Sequence, residues 1–187
     1  MAFLGMSVPR EVGQQFHEIP CEGEKTGAGS HHITMIFFGD HTPIEEVAEI
    51  LTVVAPIMQD TQPFLLEAKE VDFFEPNPDW KAGKYPTIAP IKSAALMELR
   101  ARIAVALDEA EIEYSKKFPE FKPHVTLSYD DNEPERRHLE TPIQWSCAET
   151  VLWAGDDEDD RIVIRFQLPR EKRYEGRLGT LAKILTG

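Results

Sequence analysis

A tetrapeptide that occurs twice constrains the fold of this chain more than any other feature. His32-Ile33-Thr34-Met35 is followed, 92 residues later, by His124-Val125-Thr126-Leu127, and each copy lies in a run of β-branched and aromatic residues. Such runs favour β-strands, in which alternate side chains point to the same face of a sheet. Each strand should therefore present a histidine beside a threonine on one face, with apolar side chains on the other.

Two such pairs facing each other across a cleft would provide two proton-transfer groups and two hydroxyl donors. An imidazole changes its charge near neutral pH, so one histidine can accept a proton while the other donates one. Hydroxyl groups can bind the non-bridging oxygens of a phosphate as charge accumulates on them. The repeat therefore suits in-line chemistry at a phosphodiester. The predicted catalytic residues are His32, Thr34, His124 and Thr126.

The segments SHHITMIFFGD and FKPHVTLSYDD resemble the motifs of the two-histidine (2H) phosphoesterase superfamily, with a similar order of segments over residues 2–168. This superfamily includes RNA 2',3'-cyclic phosphodiesterases, bacterial 2'-5' RNA ligase-like proteins, 2'-5' oligoadenylate phosphodiesterases and phage enzymes that degrade cyclic oligonucleotide signals. The resemblance implies a bilobal α+β fold with a cleft between the lobes. It also implies hydrolysis of a 2',3'-cyclic, 2'-5' or cyclic-oligonucleotide phosphodiester without a metal or other cofactor.

Two alternatives stay open beside hydrolysis. The same two histidines could support RNA-end ligation, which is the reverse reaction, and either histidine could be the acid or the base. A binding module of the same fold would instead sequester a nucleotide without turnover. Because family members bind nucleobases through aromatic side chains, the candidate substrate contacts are Tyr85, Trp80, Tyr129 and Phe121.

The net charge of −13 at pH 7 restricts the ligands that the chain can bind. Proteins that bind long nucleic acids along the backbone need a basic face, so we expect a small nucleotide or an RNA end rather than a long duplex. Because such a ligand is itself an anion, the site needs a local positive charge. The lysines near the motifs are Lys122, Lys84 and Lys92, and specificity is expected in the loops 21–30 and 75–84.

The remaining histidines are assigned other roles. His31 precedes His32 in a strand and should point to the opposite face. Adjacent strand histidines cannot easily chelate one ion, and no nearby set of Asp, Glu or Cys residues completes a ligand shell, so we expect no metal site. Polar or turn-like surroundings place the others on the surface: His17, His41 and His138.

The hydrophobic pattern predicts two similar strand-helix halves. Strands are predicted at residues 3–8, 33–38, 64–73, 85–91, 125–129, 146–153 and 161–168, the last two forming a hairpin. A weak helical turn is predicted at 9–17, and a helix at 93–113, in which apolar residues recur at helical spacing: Leu96, Leu99, Ile103, Leu107 and Ala110. A further helix should begin at a capping box, Thr42-Pro43-Ile44-Glu45, and end near Pro56, with its apolar face formed by Ile44, Val47, Ala48 and Leu51.

Residues 1–168 are therefore predicted to form one two-lobed domain, with lobes 1–91 and 92–168. Residues 169–187 contain five Lys/Arg against two Glu and form a basic extension, predicted to be a helix docked on the body or an arm that binds a partner or phosphate. No apolar run approaches the roughly 20 residues of a membrane span, and the first residues do not resemble a signal peptide. With only Cys21 and Cys147, a disulfide framework is not expected. The expected setting is the cytoplasm, with no membrane partner.

Overall fold

The computed structural model describes residues 1–40, 42–78, 81–117, 120–155 and 162–169. The helices are α1 (Arg10–Glu18), α2 (Ile44–Gln59) and α3 (Ala94–Glu109). The strands are β1 (Ala2–Ser7), β2 (Glu24–Lys25), β3 (His32–Gly39), β4 (Phe64–Phe73), β5 (Tyr85–Lys92), β6 (His124–Asp130), β7 (Arg137–Cys147), β8 (Glu149–Ala154) and β9 (Ile162–Gln167). A 3₁₀ helix, Lys81–Gly83, lies between β4 and β5.

The strands form two antiparallel sheets. One has the order β3-β1-β8-β9 and the other the order β2-β6-β5-β4-β7. This α+β architecture with two lobes confirms the predicted fold class. The sheets do not divide near residue 91, however, because β4 already belongs to the five-stranded sheet, and β8 and β9 return to the four-stranded sheet. That residues 1–168 form one domain stays a prediction.

Helix α3 follows its predicted apolar pattern. Its stripe of Leu96, Leu99, Ile103 and Leu107 is buried in the core, and the Ser93 hydroxyl accepts a hydrogen bond from the Leu96 amide at its start. The helix ends at Glu109, short of the predicted residue 113, so the predicted stripe residue Ala110 is instead its exposed C-cap. Glu111 has a φ of +55°, a left-handed conformation that a right-handed helix cannot contain.

Helix α2 differs from its prediction at both ends. It begins at Ile44 with Pro43 as the N-cap and no side-chain cap bond, so the predicted capping box does not form. The helix continues past Pro56 to Gln59, because the amide bond that proline removes would end on the carbonyl of exposed Thr52, which water can reach. Val47 is buried as predicted, whereas Ala48 is exposed and Leu51 half-buried. The buried stripe is Val47, Ile50, Val54 and Met58.

Several strand boundaries in the structure also differ from the predicted ones. The segment 146–153 is not one strand, because β7 ends at Cys147 and β8 begins at Glu149. The hydrophobic pattern does not predict most of β7. Strand β2 lies in the segment 21–30, for which the sequence predicts a loop. The β8–β9 hairpin is confirmed. The predicted helix in the tail lies outside the described residues, among which no helix is long and apolar enough to cross a bilayer.

Candidate active site

The two tetrapeptides lie on β3 and β6, which contact each other although they belong to different sheets. Each strand carries its histidine at the first position and its threonine two residues later. The pairing partners place His32 beside Ser7 of β1 and His124 beside Pro90 of β5. The fold therefore brings the two copies of the repeat together at one site, as the sequence predicts.

Each tetrapeptide ends in a β-bulge. On β3 the pairing skips Met35, because Thr34 and Ile36 pair with adjacent residues of β1. On β6 it skips Leu127 in the same way. Both extra residues are buried, so the apolar fourth position of the repeat anchors the bulge in the core. In a regular strand the second residue after each threonine would lie on the threonine face. The extra residue of a bulge shifts this alternation by one position, so the third residue after each threonine lies on the threonine face instead. These residues are Phe37 and Tyr129.

The two histidines are held in the same way. The Nδ1 atom of His32 lies 2.9 Å from the carbonyl oxygen of Ser30, and that of His124 lies 2.7 Å from the carbonyl oxygen of Lys122. A carbonyl oxygen can only accept, so each Nδ1 must carry the hydrogen and donate it. In the neutral ring this leaves the lone pair on Nε2. Each histidine is therefore fixed in the tautomer whose Nε2 can accept a proton.

The electrostatic environment of His124 favours its neutral form. Burial lowers the pKa of His124, and the nearby charge of His32 lowers it further, while the bond to the Lys122 carbonyl opposes both effects. A positive charge on both rings at once is therefore disfavoured.

Aromatic rings surround each imidazole. Phe3 and Trp153 stack on each other with centroids 4.6 Å apart, and they lie 5.2 and 6.0 Å from the ring of His32. Both are half-exposed. On the other strand, the ring of Phe74 meets His124 edge-on at 4.8 Å. The histidines thus lie between apolar surfaces that restrict their rotation and could accept a flat ring of a ligand.

Gly5 makes the cluster around His32 possible. It pairs with Thr34 on the same face of the sheet. A Cβ atom at this position would lie 2.3 Å from the carbonyl oxygen of Ile33 and 3.3 Å from the ring of Trp153. The backbones of β1 and β3 and the indole ring therefore occupy the volume that any side chain would need.

The structure separates the predicted aromatic contacts. Tyr129 lies on the threonine face, and its phenol group is within hydrogen-bond reach of the hydroxyl of Thr126. Tyr85 pairs with Asp130 and therefore lies on the opposite face, where it packs edge-on against Phe73. Phe121 is partly buried beside the core and has Arg100 over its ring. The structure brings neither Tyr85 nor Phe121 to the histidines, and Trp80 lies outside the described residues.

The lysines that the sequence suggested are all engaged by carboxylates. The ammonium groups of Lys122, Lys84 and Lys92 lie 3.3, 3.9 and 3.4 Å from acidic oxygens. Their partners are Glu120, Asp131 and Glu70 respectively. Lys122 instead contributes through its backbone, because its carbonyl holds His124.

The other described histidines are His17, His31 and His138. His31 is 3% exposed, on the opposite face from His32 as predicted, and neither ring nitrogen has a partner of good hydrogen-bond geometry among the described residues. Burial lowers the pKa of its imidazole, against a weaker opposing effect of the Ala28 backbone. His138 is exposed as predicted, His17 is half-buried, and His41 lies outside the described residues. The described residues contain no cluster of three or more His, Cys, Asp or Glu side chains that could hold a metal ion.

Sequence reasoning missed several residues that the fold brings to the site. Phe3 and Trp153 come from β1 and β8, and no local pattern connects these strands to the first tetrapeptide. Phe74 follows β4, and Lys81 lies with its ammonium group 5.0 Å from the centre of the Tyr129 ring. The one usable signal was Gly5, an interior strand glycine, which often marks close approach of another group.

The comparisons with known proteins agree with this geometry. The sequence profile of the 2'-5' RNA ligase superfamily matches residues 25–159, a segment that contains both tetrapeptides. The chain belongs to this superfamily. Among curated proteins no sequence matches it.

Several solved structures share the fold. TT0787 of Thermus thermophilus aligns with a TM-score of 0.71 and 18% identity, over 91% of this chain and 98% of that one. E. coli LigT complexed with 3'-AMP aligns with a TM-score of 0.63 and 18% identity, over 89% and 96% of the two chains. E. coli LigT complexed with ATP gives a TM-score of 0.61, with the same identity and coverage. Identities this low establish the common fold alone.

Proposed function

We propose that this chain is a metal-independent phosphodiesterase. It hydrolyses a 2',3'-cyclic, 2'-5' or cyclic-oligonucleotide phosphodiester by acid-base catalysis between His32 and His124. The observation that carries the proposal is the matched pair of Nδ1 hydrogen bonds to the carbonyls of Ser30 and Lys122. Two imidazoles fixed in the same tautomer leave two Nε2 atoms available for proton transfer.

The charge distribution supports one assignment of roles. His124 has a lowered pKa and is the neutral ring that removes a proton from the attacking water. His32 is more exposed and donates its Nε2 proton to the departing ribose oxygen. Thr34 and Thr126 donate hydrogen bonds to the non-bridging oxygens as negative charge develops on them. After one turnover the proton has passed from His32 to His124, and exchange with solvent restores the pair.

The surfaces beside the histidines support a nucleotide substrate. Phe3 and Trp153 offer a half-exposed aromatic surface next to His32, on which a base can stack. LigT, which has the same fold, was crystallised with ATP, with NADP+ and with 3'-AMP. The acidic charge of the chain favours such small ligands or an RNA end over a long duplex. A cytoplasmic location stays a prediction.

Two other functions compete with hydrolysis. Ligation of RNA ends requires the same two histidines in exchanged roles, so the geometry does not distinguish it from cleavage. A sequestering module would bind nucleotide without product, but it would not need both imidazoles held in the proton-accepting tautomer. The matched tautomers therefore favour catalysis.

A substrate panel tests the proposal. Purified protein is incubated with nucleoside 2',3'-cyclic phosphates, cyclic dinucleotides, 2'-5' oligoadenylate, RNA with a cyclic phosphate end, and RNA ends suitable for joining. The proposal expects time-dependent hydrolysis of at least one of the phosphodiesters, absent in the double variant His32→Ala/His124→Ala. Joined product would favour ligation. Tight binding without product over hours would favour the sequestering module and contradict the proposal.

A further inference from the structure

The site needs a positive charge that the lysines near the motifs do not supply. A phosphodiester is an anion, and the chain carries a net charge of −13 at pH 7. Lys122, Lys84 and Lys92 each have a carboxylate within 4.0 Å. A cation paired in this way attracts a second anion less strongly, because part of its field is already cancelled. A cation without a carboxylate partner would add more to the positive charge that protonated His32 brings to the phosphate.

Lys81 lies beside Tyr129, close to the second tetrapeptide. Its ammonium group lies 5.0 Å from the centre of the Tyr129 ring, which is within the range of a cation–π contact. The bulge at Leu127 places Tyr129 on the threonine face, and the Tyr129 phenol is within hydrogen-bond reach of Thr126. Lys81 is thus connected through one ring to a catalytic threonine.

Two further features distinguish Lys81 from an ordinary surface lysine. It has a φ of +49°, a left-handed conformation that side-chain-bearing residues adopt at an energetic cost and that often marks functional loops. In the part of the chain that the structure describes, its ammonium group forms no ion pair. An acidic group also acts on Tyr129, because Glu24 of β2 pairs with it and raises the pKa of its phenol.

We propose that Lys81 is a substrate-binding residue whose ammonium group, held over Tyr129, binds the phosphate oxygens next to Thr126. This inference rests on the proposed function for the identity of the anion, but it can be tested without turnover. A ring under the ammonium group holds the charge in place without neutralising it. The ligand class is a phosphate monoester or diester, with inorganic phosphate as its simplest member.

The test measures binding of inorganic phosphate and of adenosine 3'-monophosphate by titration calorimetry at low and high salt. Lys81→Met removes the charge and keeps most of the side-chain length, and Lys81→Arg restores the charge. Lys84→Met is the matched control, because Lys84 lies three residues away and pairs with Asp131. Loss of one nearby charge should weaken binding about fivefold or more in Lys81→Met. Lys81→Arg should recover most of it, and Lys84→Met should stay within about twofold of the unmodified protein.

Tyr129 provides an independent variant of the same contact. Tyr129→Phe keeps the ring under Lys81, whereas Tyr129→Leu removes it, so only the second should reproduce part of the Lys81→Met loss. If a substrate is turned over, Lys81→Met should chiefly raise KM, whereas the histidine variants lower kcat. Equal binding by Lys81→Met and the unmodified protein would overturn the proposal. So would equal weakening by Lys81→Met and Lys84→Met, or no phosphate binding by the unmodified protein. If the unmodified protein turns over no substrate but Lys81→Met still weakens phosphate binding, only the proposed reaction would be contradicted.

Discussion

Replacing Gly5 by alanine should damage both stability and the position of His32. The added methyl group would lie 2.3 Å from the Ile33 carbonyl oxygen and 3.3 Å from the ring of Trp153. The distance from the added methyl carbon to the Ile33 oxygen is shorter than any non-bonded contact allows, so β1 must move away from β3. Overpacking of this kind costs about 1 to 3 kcal/mol of the free energy of unfolding. For a chain of 187 residues, that corresponds to a fall in Tm of about 2 to 12 °C.

The same movement should reduce activity. His32 is held by the Ser30 carbonyl and by contact with Phe3, and a shift of about 1 Å in a catalytic group can cost about 10²-fold in rate. We expect kcat/KM to fall by about 10- to 100-fold in Gly5→Ala.

Gly29→Ala is the matched control, because a Cβ atom at Gly29 would meet nothing within 4 Å. Thermal unfolding and steady-state rates are measured for both variants at one pH. A Gly5→Ala protein as stable and as active as Gly29→Ala would refute the packing described around His32.

Three further predictions concern the effect of metal removal on activity, the pH profile of activity and the pH dependence of stability. Activity should survive excess EDTA within about twofold, since two imidazoles supply the acid and the base; loss that a divalent ion specifically restores would contradict this. The profile of kcat/KM against pH should be bell-shaped, with its acid limb below pH 6.5 because the pKa of His124 is lowered; a monotonic profile would exclude a pair that shares one proton. Burial lowers the pKa of His31 below its ordinary 6.5, so the unfolded chain binds this proton more readily and stability should be lost as pH falls below about 6.5. Urea unfolding at pH 7.5 and 5.0 should show a larger loss for the unmodified protein than for His31→Leu, and equal losses would count against the assignment.

The periodicity of apolar residues predicts the helices and strands in which burial of one face sets the pattern. The apolar stripe of α3 and the alternating pattern of β4 gave elements in the right places, because burial of one face sets the periodicity. The duplicated tetrapeptide predicted two strands that meet, and they do. The position of His31 on the buried face followed from strand alternation alone.

Features that depend on contacts distant in sequence could not be predicted in this way. The first part of β7, residues 137–142, contains no buried residue, and it is a strand because β4 pairs with it. The bulges at Met35 and Leu127 depend on the register of partner strands, yet they decide that Tyr129 faces the site. Tyr85 lies on the opposite face for a related reason, since its pairing with Asp130 lies beyond the bulge.

The central claim is that His32 and His124 form one acid-base pair. It is tested most directly by kcat/KM for His32→Ala, His124→Ala and the double variant, each shown by circular dichroism to be folded. Each single variant should lose roughly 10² to 10⁴ in rate, and the double variant should lose little more than the worse single variant, because either change disables the same step. A folded single variant that keeps activity within about tenfold of the unmodified protein, or losses that simply multiply in the double variant, would contradict it.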